Sequence, residues 1–207
     1  YCPNFMWYYS NLEFNFLGHR SYVPERNPTH SFLTLMNNIR WHRDLVCKTL
    51  EPVLSTAKYS YTQRDIYLPD DISPNPEMGP GPEYWSRFLN PNWYNSTAFS
   101  AVVETHMRNT KNSNGMRTEV SEKVFKPLAY QHPFVVYGSV DTLKYLKSQG
   151  FETFDNIFDE SYDSVLDDDQ RFAAVSQQVF HGVERWRQGW IVDAETQRRL
   201  QHNTDHF

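Results

Sequence analysis

Between residues 31 and 160 the apolar positions change spacing several times, and each change marks an element. Ser31-Phe32-Leu33-Thr34-Leu35-Met36 is a short, mostly apolar run and reads as a strand. After Asn37-Asn38-Ile39-Arg40, apolar Leu45, Val46, Leu50 and Val53 recur at helical spacing and predict a helix over Trp41 to Leu54. Ala57 to Thr62 and Ala98 to Glu104 read as two more strands. Val124, Phe125, Leu128 and Ala129 again fall at helical spacing, Pro133 closes that helix, and Phe134 to Tyr137 forms a buried-type strand ending at Gly138. A helix over Val140 to Gln149, a short strand at Phe151 to Phe154, a long helix from about Asp169 to Arg187 and a shorter one near Asp193 to Gln201 complete the series.

Strands alternating with helices over short connections predict an α/β domain: a Rossmann-like three-layer arrangement with a mostly parallel sheet. Three segments follow from the same pattern: an aromatic N-terminal arm over 1–30, the α/β domain over 31–160 and a C-terminal helical segment over 161–207. The proline- and glycine-punctuated stretch Asp65 to Asn95 predicts an irregular surface excursion, and Thr105 to Thr118 a polar loop.

Composition narrows the chemistry. With 207 residues the chain has enough material for one substantial core, and a net charge of −5 with pI near 5.9 gives no general affinity for nucleic acid. Cys2 and Cys47 are too few for a disulfide framework or structural zinc site, and Cys47 reads as a small core residue. No apolar run reaches the roughly 18 residues of a membrane span and no signal peptide is visible, so a soluble, cytoplasmic protein is expected. The chain begins at Tyr1 rather than methionine, which leaves open a larger assembly or a missing N-terminal domain. His30, His42, His106 and His132 are scattered, and the acidic run from Asp155 to Asp169 lacks the glycine and spacing of a calcium loop; neither a metal nor a resident cofactor is expected. A Gly-x-Gly-x-x-Gly is absent after the first strand, which argues against a dehydrogenase.

Ligands of open α/β sheets bind beyond the carboxyl ends of the strands. Two loops there carry chemistry: Asn37 to Arg43, with Arg40 and Arg43 at a helix start, and Glu104 through to Ser121-Glu122-Lys123. Guanidinium forks, the Lys123 ammonium and helix N-termini all suit a diphosphate, while Glu104 at a strand end suits ribose or sugar hydroxyls. The alternative is that the arginines are solvated helix-start charges and Glu122-Lys123 a capping device.

Glu104, Ser121-Glu122-Lys123, Pro127-Leu128-Ala129 and His132 to Gly138 together resemble the donor-binding half of GT-B glycosyltransferases, of the fucosyltransferase and exostosin-like type. The resemblance covers about fifty residues, and is looser over Phe32 to Leu54. It implies that Glu122 and Lys123 contact the ribose and diphosphate of a GDP- or UDP-linked sugar, that Glu104 and Arg40 assist, and that the sugar passes to a glycan or other hydroxyl acceptor without a metal. The chain departs from the pattern at Lys126-Pro127, where the families are alanine-rich, and at His132. Only one Rossmann-like half is evident, and no general base is assigned. A non-catalytic binding or structural module derived from the same fold is the second expectation.

Overall fold

The structure, a computed structural model, describes residues 25–68, 90–108, 110–112, 115–117, 120–190 and 192–206. Most of the expected aromatic arm, Cys2 and most of the proline-rich excursion lie outside these residues. Four strands form one sheet: β1 (His30–Met36), β2 (Lys58–Tyr61), β3 (Thr97–Val103) and, after a short antiparallel hairpin of β4 (Thr110–Asn112) and β5 (Gly115–Arg117), β6 (Phe134–Tyr137). The sheet order is β2-β1-β3-β6 and every pairing is parallel. The α/β, Rossmann-like layering read from the sequence is therefore the observed one.

The helices are α1 (Trp41–Leu54), α2 (Pro91–Asn95), α3 (Glu122–Ala129), α4 (Thr142–Ser148), α5 (Asp168–Arg187) and α6 (Ala194–His206). Strand register sorts side chains between two faces, because successive residues point oppositely. Phe32, Met36, Phe99, Val103 and Tyr137 share the face that packs on α1 and α5. Helix α5, from the expected C-terminal helical segment, thus supplies a layer of this core, and α6 packs against α3. Gly182 makes the close approach possible: a Cβ there would lie 2.7 Å from the Phe99 ring and 3.1 Å from Phe158. Leu33, Leu35, Ser100, Val102, Phe134 and Val136 share the other face, which packs on α2 and α3.

Four details differ from the expectations. Pro91–Asn95 is a helical turn, started by the Asn90 side chain accepting from Asn92 N–H at 3.0 Å. Phe151 to Phe154 forms no strand; its backbone bonds to side chains instead, Asn203 taking Glu152 N–H and Glu160 taking Phe154 N–H. The loop after β3 contains the β4–β5 hairpin. Cys47 is half-buried rather than enclosed.

The acidic run is mostly consumed by capping and pairing. Asp163 accepts from Leu143 and Lys144 N–H at the start of α4, Asp167 caps α5, and Asp155 pairs with Arg199.

A candidate anion site at the strand crossover

β1 leads through α1 on one face to β2, while β3 leads through α3 on the opposite face to β6. The strand order therefore reverses between β1 and β3, the place where such sheets open a crevice. A cavity of about 290 Å³ occupies it. Arg40, Arg43, Glu122 and Lys123 all line it, together with Asn37, Asn38 and Lys126. Inward, the cavity continues along the sheet past Val102 and Leu35 to Leu33 and Ser100, beneath Trp93, Tyr94 and Pro127. Its mouth is cationic and its depth largely apolar.

The two arginines sit at the first turn of α1. Arg40 is the extended residue before the helix, and its N–H is held by Tyr61 Oη at 3.2 Å. Arg43 is 2 % exposed and donates Nη1 to the Asn38 carbonyl at 2.9 Å. The Nε atoms of both are buried without a partner. Burial and the neighbouring Arg40 charge draw the Arg43 guanidinium below its usual range, against the pull of Tyr61, Glu104 and Glu122.

On the facing wall, Ser121 caps α3, its Oγ lying 3.4 Å from Lys123 N. Lys123 Nζ reaches Glu122 Oε1 at 2.8 Å and the hydroxyls of Thr105 and Ser121 at 3.1 and 3.2 Å. An incoming phosphate can exchange with these hydroxyls at modest cost, because the ion pair with Glu122 is left intact. Burial pushes the Glu122 carboxyl upward, but Lys123 and Lys126 outweigh it and hold the group below its usual range.

Glu104 plays a different part from the one its strand-end position suggests. It is 1 % exposed and does not line the cavity; its oxygens accept from Ser121 N–H at 2.9 Å, Ser121 Oγ at 2.5 Å and Thr105 N–H at 3.1 Å. Burial pushes its carboxyl above the usual range, and Lys123 and Ser121 oppose that. It ties the end of β3 to the cap of α3, which sets the height of Lys123. His42 Nε2 meets the Glu104 carbonyl at 3.0 Å, so α1 joins the same junction, and burial holds this imidazole neutral with a pKa of about 4.

Sequence reasoning missed Lys126, which its place on the apolar side of a helix disguised, and Arg171. Arg171 lies on α5, 1 % exposed, and binds three carbonyls: Gly138 at 3.0 Å, Val165 at 2.7 Å and Met107 at 2.6 Å. It also pairs with Asp168 at 2.5 Å. Met107 belongs to the loop that leaves Glu104, so this arginine fixes the rim from behind. Sequence reasoning also passed over His202 and His206, four apart on α6; their Nε2 atoms meet the carbonyls of Gly150 and Gln149. Among the described residues no group of three or more His, Cys, Asp or Glu is placed to hold a metal ion, and no helix is long and apolar enough to cross a membrane.

Comparison with protein-family models, with curated proteins and with solved structures finds no match for the chain.

Proposed function

We propose that the cavity binds a GDP- or UDP-linked sugar and that the chain is the donor-binding part of a glycosyltransferase acting on a hydroxyl acceptor. The observation that carries this reading is the convergence of Arg40, Arg43, Glu122 and Lys123, from two distant segments, on one cavity at the strand crossover. The arginine donors without partners suit phosphate oxygens, and Glu122 is the carboxylate available to ribose hydroxyls at the rim. The apolar depth suits a nucleobase.

In the reaction the bond between the anomeric carbon and the diphosphate oxygen breaks, and the acceptor oxygen forms the new bond to that carbon. Arg40, Arg43 and Lys123 stabilise the charge that develops on the leaving diphosphate. The acceptor's proton passes to a base. In the cavity wall and behind it, the described acidic and imidazole groups are already engaged: Glu122 through Oε1 with Lys123, Glu104 with Ser121 and Thr105, His42 with a carbonyl. That engagement favours a base contributed from outside the described residues. It also supports the second reading, a binding module without transfer activity.

Calorimetric titration with GDP- and UDP-sugars tests the proposal. Micromolar binding is expected, weakened about tenfold or more by Arg40→Ala, the loss of one or two charge-assisted bonds at 1.4 kcal/mol per decade. Binding that is absent, or untouched by Arg40→Ala, overturns it. Release of GDP or UDP in the presence of hydroxyl acceptors separates an enzyme from a binding module.

A further inference from the structure

The loop that follows β1 carries an amide whose orientation the surrounding bonds decide. Thr62–Arg64, a 3-10 turn after β2, lies beside that loop, with the Gln63 N–H given to the Asn37 carbonyl at 3.2 Å. The Gln63 side chain accepts the Ile39 N–H through Oε1 at 2.8 Å. A backbone N–H can only donate, so this bond fixes which end of the Gln63 amide is oxygen. The Nε2 end then faces Asn38 and donates to its Oδ1 at 3.2 Å. Asn38 must present oxygen there, which leaves its Nδ2 as the end available to the cavity that Asn38 lines.

The other oxygen of Asn38 is engaged as well. Its carbonyl accepts Arg43 Nη1 at 2.9 Å, while the Nε atoms of Arg40 and Arg43 are buried without a partner. Both arginines line the same cavity. This stretch of loop therefore turns N–H donors to the cavity and keeps the oxygens of Asn38 occupied. A phosphate oxygen has lone pairs and no hydrogen to give, so it matches such a surface. A sugar hydroxyl, which has a hydrogen to place, meets oxygens of Asn38 that are already engaged.

We infer that Asn38 is a further anion-binding residue of this cavity, donating Nδ2–H to a phosphate oxygen of the ligand, and that Gln63 is the positioning residue that turns it there. Gln63 stands behind the loop and is not among the described residues that line the cavity. The inference rests on the anion-binding reading above but not on the sugar. Asn38 and Gln63 are both exposed, so substitutions there leave the core intact and their effect is read in affinity.

The experiment is a double-mutant cycle with pyrophosphate as the probe, read by calorimetry at pH 7 on the wild-type chain, Asn38→Ala, Gln63→Glu and the double variant. Gln63→Glu keeps an oxygen for the Ile39 N–H but has no hydrogen for Asn38 Oδ1, so the Asn38 amide turns over and meets the ligand with its oxygen. Asn38→Ala is expected to weaken pyrophosphate binding about tenfold, the worth of one hydrogen bond to a charged group, and Gln63→Glu at least as much. In the Asn38→Ala background the same Gln63→Glu change weakens binding by no more than about threefold, the effect of an exposed, salt-screened charge alone. In the wild-type chain the Asn38 side-chain amide resonances shift as pyrophosphate is added. Affinity indifferent to Asn38→Ala, an equal effect of Gln63→Glu in both backgrounds, or amide resonances that stay fixed overturns the inference. Binding of pyrophosphate with this coupling, but not of GDP- or UDP-sugars, overturns the donor reading and leaves the inference standing. Binding of nucleotide-sugars that is untouched by Asn38→Ala does the reverse. Failure of pyrophosphate and nucleotide-sugars alike overturns both.

Discussion

Two arginines of this fold are equally hidden and oppositely used. Arg171 spends its donors on three backbone carbonyls and Asp168, whereas Arg43 spends one on the Asn38 carbonyl and leaves a buried Nε without a partner. Both guanidiniums are costly to bury. The first is repaid within the fold, by joining the loops after β3 and β6 to α5. The second is repaid only in part, and it lines a cavity with three further cationic side chains. Burial alone does not separate a structural ion from a binding one; the count of satisfied donors does.

The largest test of that contrast is Arg171→Met. It leaves the carbonyls of Gly138, Val165 and Met107 without their donor and is expected to cost about 3–5 kcal/mol of folding free energy. Urea denaturation measures it, and a loss below about 1 kcal/mol would show that Arg171 is no clamp.

A neutral buried group extends the comparison. His132 accepts from Ser100 Oγ at Nδ1 and donates Nε2–H to the Thr97 carbonyl, both at 2.8 Å, with Tyr94 edge-on at 5.4 Å. Burial, helped by the Arg26 charge and opposed by the Thr97 bond, lowers its pKa to about 3. The unfolded imidazole titrates near its ordinary 6.5, so the unfolded chain binds the proton first. The stability contributed by the neutral ring is complete above that pH and is lost as pH falls toward the folded value. His132→Leu is expected to cost about 2 kcal/mol at pH 7, and the gap to wild type narrows by about 1.4 kcal/mol for each unit below 6.5. A gap constant between pH 7 and pH 5 would mean that the ring is not held neutral.

Arg43→Met gives the smallest change in stability and the sharpest contrast. An apolar side chain of similar volume removes a buried charge with an unsatisfied donor, so stability is expected to move by less than about 1 kcal/mol in either direction. Affinity for the diphosphate ligands falls tenfold or more by the same calorimetry. A large destabilisation would place Arg43 beside Arg171 as part of the framework.

Much of the fold was legible because it rests on local periodicity. The apolar stripe of α1 and the continuous apolar run of β6 are short-range signals, and the helix bounds of α1, Trp41–Leu54, agree with the expectation. Phe151 to Phe154 misled because an apolar run reads alike whether its backbone pairs with a strand or with the side chains of Asn203 and Glu160. Arg40, Arg43, Glu122 and Lys123 were legible as candidates because they start helices after strands, a position that general rules favour for anions. Glu104 shared that position, yet its oxygens turned inward to Ser121 and Thr105, a choice made by the loop after β3.

The sequence by itself determined the four strands of the sheet, the helices α1, α3, α4, α5 and α6 and the chemical character of the loops, since those follow from spacing, turn residues and caps within a few positions of each residue. Only the tertiary structure decided which of those residues meet. The reversal of strand order between β1 and β3 brings residues 40 and 43 opposite residues 122, 123 and 126 across one cavity. The physical reason is that charge balance and hydrogen-bond satisfaction are sums over neighbours in space. Arg171 and Arg43 carry the same side chain, and only those sums make one a clamp and the other an open hand to an anion.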